Sequence, residues 1–205
     1  MRSESLSTLP LLMGVVCKEM NLPTPVKGQP LSLPQETIIF ASEAIKTCLR
    51  VIEDDDEKIV VANACDAIGG ILNIMGVAAL LIPNQDSGKT FADQLMGFIL
   101  LLLSEKACCQ KKVEQDEDDS DDNHDNNLMD SVCDLIGSVA KCAGPIIIPF
   151  FDTFFELLLK FTRESRPYTD RSMAIGCIGE VLGEIGENAV HFFLLNCIFI
   201  VMFLL

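Results

Sequence analysis

Tryptophan is absent from this 205-residue chain, tyrosine occurs once, and the only histidines are His124 and His191. With so little imidazole, histidine-assisted zinc sites and histidine general bases have almost nothing to draw on. Basic residues are also scarce: Lys and Arg total 15 against 30 Asp and Glu, for a net charge of −15. No basic stripe exists to neutralise phosphates, which argues against nucleic acid as the main partner. An acidic surface favours basic proteins instead. The nine cysteines include no C-x-x-C pair, and the adjacent Cys108 and Cys109 suit neither a simple disulfide framework nor a zinc knuckle. The thiols read as reduced, small and mostly buried residues of an intracellular chain.

Long hydrophobic runs are missing too. In MRSESLSTLPLLMGVV, Pro10 and the Cys-Lys-Glu that follows argue against a signal peptide. Phe192 to Leu205 is fourteen residues with Asn196 as its only polar one. That is short of the roughly 18 apolar residues a spanning helix requires, and no Lys or Arg flanks it. Membrane attachment is therefore not expected.

What is present is enough apolar material for a core, 49% of residues, together with an internal repeat. CDAIGGILNIMG (65–76), CDLIGSVAKCAG (133–144) and IGCIGEVLGEIG (175–186) align without gaps. Each has an Ile-Gly pair followed seven residues later by another Gly. From Gly69, Gly137 and Gly179 the spacings are 68 and 42 residues, the longer exceeding the shorter by 26. A period of 42 lies in the range of HEAT and armadillo repeats, and one acidic insertion accounts for the excess. Apolar residues at 60, 61, 64, 68, 71, 72 and 74 fit a helical period. Partner helices are expected at 35–52, with Ile38, Ile39, Ala41, Ile45, Cys48, Leu49 and Ile52 as the apolar set of the first, and at 90–109 and 149–162. A further helix is expected around Leu6–Met20. The fold class predicted is all-α: a HEAT-repeat α-solenoid, a right-handed superhelix of about four stacked antiparallel helix pairs. Residues 1–33 would form a partial repeat and a Pro-rich linker, and 34–190 the repeats with an acidic insertion near 110–128. Residues 191–205 would be an atypical apolar tail.

Three tempting motifs fall short. DSDDNHDNNLMD (119–130) has nearly the oxygen spacing of an EF-hand loop, but His124 stands where the sharp turn needs Gly and Asp130 where a bidentate Glu is wanted. PNQDSGKT (83–90) ends like a P-loop, yet Pro83 occupies the place of the first glycine; it reads as a turn with Asp86 or Ser87 capping the next helix. Carboxylates occur in exposed runs, not isolated in apolar surroundings, so no tuned catalytic acid is expected. Neither an enzyme nor a cofactor or metal site is predicted.

The acidic runs carry most of the functional signal. Residues 114–130 hold nine Asp or Glu and no Lys or Arg, and repulsion should keep the segment extended. EDDDE at 53–57 occupies the corresponding turn one repeat earlier. Both are expected on one edge, forming a surface for Lys- and Arg-rich ligands. The residues proposed to bind are Glu53, Asp54, Asp55, Asp56 and Glu57, with Asp116, Glu117, Asp118, Asp119, Asp121 and Asp122.

TFFELLLKFTRESRPYTDRSMAIGCIGEVLGEIGENAV (153–190), with DRSMAIGCIGE as its most specific part and IPFFDTFFELLL before it, resembles the HEAT repeats of the importin-β (karyopherin-β) nuclear transport receptors. It is most similar to the large importins that carry histones and ribosomal proteins, and the resemblance spans roughly 34–190. It implies a non-enzymatic import receptor segment found in cytoplasm, nucleus and nuclear pore. Basic cargo would sit on the acidic residues named above, with the Ran GTPase and phenylalanine-glycine nucleoporins as further partners. The alternative is a HEAT scaffold or adaptor subunit unrelated to Ran.

Overall fold

The computed structural model describes residues 2–84, 88–111 and 120–190, with side-chain surroundings given from residue 5 in the first stretch and from 127 in the third. The described chain is all-helical, with isolated bridges at Val26–Gln29 and Pro83–Thr90 and no strand among the described residues. The helices are α1 (Arg2–Glu19), α2 (Gln35–Asp54), α3 (Lys58–Met75), α4 (Val77–Leu80), α5 (Phe91–Leu103), α6 (Ser120–Ala143), α7 (Ile148–Phe161) and α8 (Tyr168–Ile185).

They fall into two rows. Helices α2, α5 and α7 touch in series, as do α1, α3, α6 and α8, and each of α2, α5 and α7 packs on the helix of the second row that follows it in the chain. Within the second row the helices run parallel. Pro10 and Gly14 of α1 face Gly70 and Ile74 of α3. Asp66 and Gly69 of α3 face Ser131 and Ser138 of α6. Cys133 and Gly137 of α6 face Cys177 and Glu180 of α8. In every joint both numbers rise together.

The recurring Ile-Gly and its later glycine have separate physical reasons. The first glycine lets the next helix of the row approach: a Cβ on Gly69 would lie 3.2 Å from Ser138 Oγ, and one on Gly137 would meet the Glu180 carboxylate. The second ends the helix. Gly76, Gly144 and Gly186 have φ of 63°, 57° and 60°, a region that L side chains enter only at a cost. Where neither reason applies, glycine is a liability. Gly97, exposed in mid-α5 with nothing within 4 Å of its Cβ position among the described residues, should give about 0.5–1 kcal/mol of stability when changed to Ala. Gly70→Ala should lose stability instead, because its Cβ would lie 2.7 Å from the Pro10 ring. Urea midpoints of the two variants check the opposite signs.

Several boundaries differ from the sequence expectations. Helix α5 stops at Leu103, not Cys109: Glu105 turns left-handed at φ 57°, and Lys106 N–H closes the end on the Leu101 carbonyl at 3.1 Å. Its cap is Thr90, in a capping box with Asp93, so the cap expected at Asp86 or Ser87 is displaced. Ile39 is exposed, and Thr37 and Ala44 take its place on the buried face of α2. Helix α6 begins at Ser120, so the latter part of the acidic tract is helical, not extended. Leu128, Met129 and Val132 are buried within it, and acids near a helix start suit the dipole there. A continuous helix also removes the loop that an EF-hand frame needs.

Residues 23–34, read as a linker, pack against the helix ends. A turn closed by Gln29 N–H to the Val26 carbonyl (3.0 Å) puts Gly28 N–H on the Cys142 carbonyl of α6 at 2.8 Å. It also sets Lys27 on Glu184 near the end of α8. Cation and N–H thus meet carbonyls left open at two helix C-termini. Helix α3 and the stretch 127–161 are apolar and long enough to cross a bilayer, but α3 is enclosed by α1, α2 and α6, which accounts for its apolarity.

Candidate basic-ligand interface

The acidic run closes α2 with Glu53 and Asp54 and makes the turn into α3 with Asp55, Asp56 and Glu57. Glu53, Asp54, Asp56 and Glu57 are exposed, and Asp55 Oδ1 accepts the Glu57 N–H at 3.0 Å, shaping the turn. The corresponding connections are the one after α5, described through residue 111, and 162–167 between α7 and α8. These last two lie on one edge, because Arg166 makes a two-pronged bond to Glu105 at 2.8 and 2.7 Å while stacking 4.6 Å from the Phe161 ring centre. Of the second acidic run, Asp116, Glu117, Asp118 and Asp119 lie outside the described residues. Asp121 and Asp122 fall in the first turn of α6, with their side chains outside the description.

Beside the turn, the structure gathers acids that the sequence reading did not assign to binding. Asp66 on α3 and Asp130 and Asp134 on α6 are exposed along the α3–α6 joint. Asp66 lies about 14 Å along the axis from Glu57, at 1.5 Å per residue. Although exposed to solvent on one side, Asp66 is partly desolvated by the helices beside it, which pushes its carboxyl up; a hydrogen bond with Ser131 opposes this and the charge of Asp134 adds to it. Asp130 is raised by burial and then by Asp134. No lysine or arginine contributes to either shift.

The next joint is different. Lys141 bonds Glu180 at 2.7 Å, a contact that raises the lysine, and Lys27 pairs with Glu184. The α3–α6 joint, by contrast, brings Asp66, Asp130 and Asp134 together with like charge acting on like. A signal for the missed pair existed: Cys65-Asp66 and Cys133-Asp134 hold the same place in the aligned segments, and Gly176 replaces the acid in the third.

No protein-family model matches the chain, and no curated protein matches it significantly. Its own geometry therefore carries the functional argument.

The remaining chemistry is sparse. The described cysteines are free and, apart from Cys108, buried. Burial pushes Cys48 and Cys142 up to about 12, where a thiol is a poor nucleophile at neutral pH. Among the described residues no group of acid, His or Cys side chains is arranged to hold a metal ion. A cavity of about 390 Å³ between the ends of α1 and α3 is lined largely by Leu22, Pro23, Pro25, Leu31, Leu33 and Ile74 and holds no catalytic pairing.

Proposed function

We propose that this chain is a segment of a HEAT-repeat array, about four repeats long, that binds lysine- and arginine-rich protein segments. We further propose that it is of the importin type, carrying such cargo through the nuclear pore. The fold reading is supported by two rows of helices, the parallel run of α1, α3, α6 and α8, and the glycines that recur in their joints and at the ends of α3, α6 and α8. The ligand reading rests on one observation: exposed carboxylates run from the 53–57 stretch onto Asp66, Asp130 and Asp134. The resemblance of 153–190 to importin-β repeats supplies the cellular setting, with Ran and phenylalanine-glycine nucleoporins as the further partners to be tried.

The test is fluorescence anisotropy with a labelled histone-tail peptide. Affinity should fall steeply with salt, because exposed charges are screened within about 8–10 Å near physiological ionic strength. Changing Asp66, Asp130 and Asp134 together to Asn should weaken binding about tenfold, at roughly 0.5 kcal/mol for each exposed charge. Replacing 116–122 by Ser and Asn tests the acidic tract separately. Unchanged affinity and salt slope in both variants would remove the proposal.

The pH response separates binding from folding. Protonation discharges the face, and Asp66 and Asp130 protonate above the ordinary 3.8, so affinity should already decline in mild acid. Folding responds in the other direction. The folded state holds these two protons more tightly than the unfolded state, so their contribution to stability rises as pH falls through the raised values toward 3.8. Loss of binding without loss of the folded state is the expected result.

A further inference from the structure

Helices α6 and α8 meet through sulfur. Cys177 Sγ lies 3.8 Å from the Cys133 carbonyl across the joint, and its thiol also bonds with the Cys133 thiol. One turn further along α6, Gly137 faces Glu180, whose carboxylate a Cβ at that position would strike. Two thiols are thus held together where a missing side chain lets α8 approach α6.

The other cysteine neighbours are placed differently. Cys65 has Cys109 and Cys48 near enough for charge to act between them, but Cys65 and Cys48 expose no surface. Cys133 and Cys177 are 7% and 4% exposed. That is an opening for a reagent little larger than water, and too small for a bulky one.

We infer that Cys133 and Cys177 are a modification site, which a small hydroperoxide converts into a disulfide bracing α6 against α8. The contact with Cys133, then burial and the charges of Glu180 and Asp134, keep the Cys177 thiol protonated well above its usual range, so Cys133 reacts first. Cys133 gives up its proton and its sulfur attacks a peroxide oxygen. The O–O bond breaks, a sulfenic acid forms, and the departing hydroxide takes the proton as water. The Cys177 sulfur then attacks the sulfenic sulfur, the S–O bond breaks, and hydroxide leaves with the Cys177 proton as a second water. The two thiols lose two electrons and the peroxide accepts them. The linked residues are 44 apart in sequence, so the bond also restricts the unfolded chain. The inference rests on the α6–α8 joint and is independent of the basic-ligand reading.

The full chain is treated with hydrogen peroxide at neutral pH, its remaining thiols are alkylated, and it is digested without reductant for mass spectrometry. A peptide pair joined through Cys133 and Cys177 is expected, released by dithiothreitol. The urea midpoint should rise on oxidation and return on reduction. Cys177→Ala leaves Cys133 without its partner, so it should show no such rise and should accumulate a Cys133 sulfenic acid that dimedone traps. Cys108, the one described cysteine that is not buried, reports that peroxide has reacted. Recovery of Cys133 and Cys177 as alkylated thiols once Cys108 is consumed overturns the inference. Either sulfur joined to a different cysteine, or a Cys133–Cys177 bond that forms only in urea, overturns it equally. A bond that leaves the midpoint unchanged removes the bracing role. Should Cys177→Ala fail to fold, the peptide map of the parent still decides.

Discussion

Gly76→Ala should lower the unfolding free energy by about 2–4 kcal/mol, the backbone strain alone being worth roughly 1–3 kcal/mol. Gly76 ends α3 with φ 63° and ψ −155°, a conformation that is nearly exclusive to glycine. A Cβ there would also come within 2.6 Å of Pro25 Cβ, a rigid ring with no alternative rotamer. Relief would require the 23–34 segment to lift, loosening the turn that sets Gly28 and Lys27 on the ends of α6 and α8. Gly186→Ala is the internal control. It shares a left-handed φ of 60° but meets nothing within 4 Å among the described residues, so the backbone share is the loss expected. Urea unfolding of both variants gives the difference, and equal losses would show that Pro25 contributes nothing.

Phe151→Ala should cost about 3–5 kcal/mol, the usual range for removing a buried ring. Phe151 is completely buried in α7 and meets Phe155 edge to face, ring centres 5.7 Å apart at 60°. The truncation therefore loses the transfer term, leaves a cavity and breaks a favourable aromatic pair. Against a typical total of 5–15 kcal/mol the effect is large. Asp152→Ala, on the exposed side of the same helix, should stay within about 0.5 kcal/mol. Thermal or urea unfolding decides, and similar losses in the two variants would contradict the assigned core.

Much of the helical layout was legible in the residues. The periodic apolar set of α3 and the segment 149–162 predicted helices close to those observed, because a one-sided apolar stripe has few other solutions. The glycine repeat was also visible, though its two causes were not. A sequence does not show whether a glycine is required by its own φ or by a neighbour's side chain. Gly76 and Gly69 differ in this respect, and both differ from Gly97, which nothing requires.

The candidate site was only partly legible. Runs such as 53–57 stand out because their charges adjoin in sequence. Asp66 and Asp134 come from segments nearly seventy residues apart, and only packing α3 on α6 makes them neighbours. The sequence by itself determined the acidic character of the chain, its scarcity of imidazole and basic groups, and its helical periodicity, since these depend on residue type and local spacing alone. Which carboxylates come to lie side by side was decided by the tertiary structure. So was the pinning of the proline-rich segment across two helix ends. Each of these depends on which helix lies beside which.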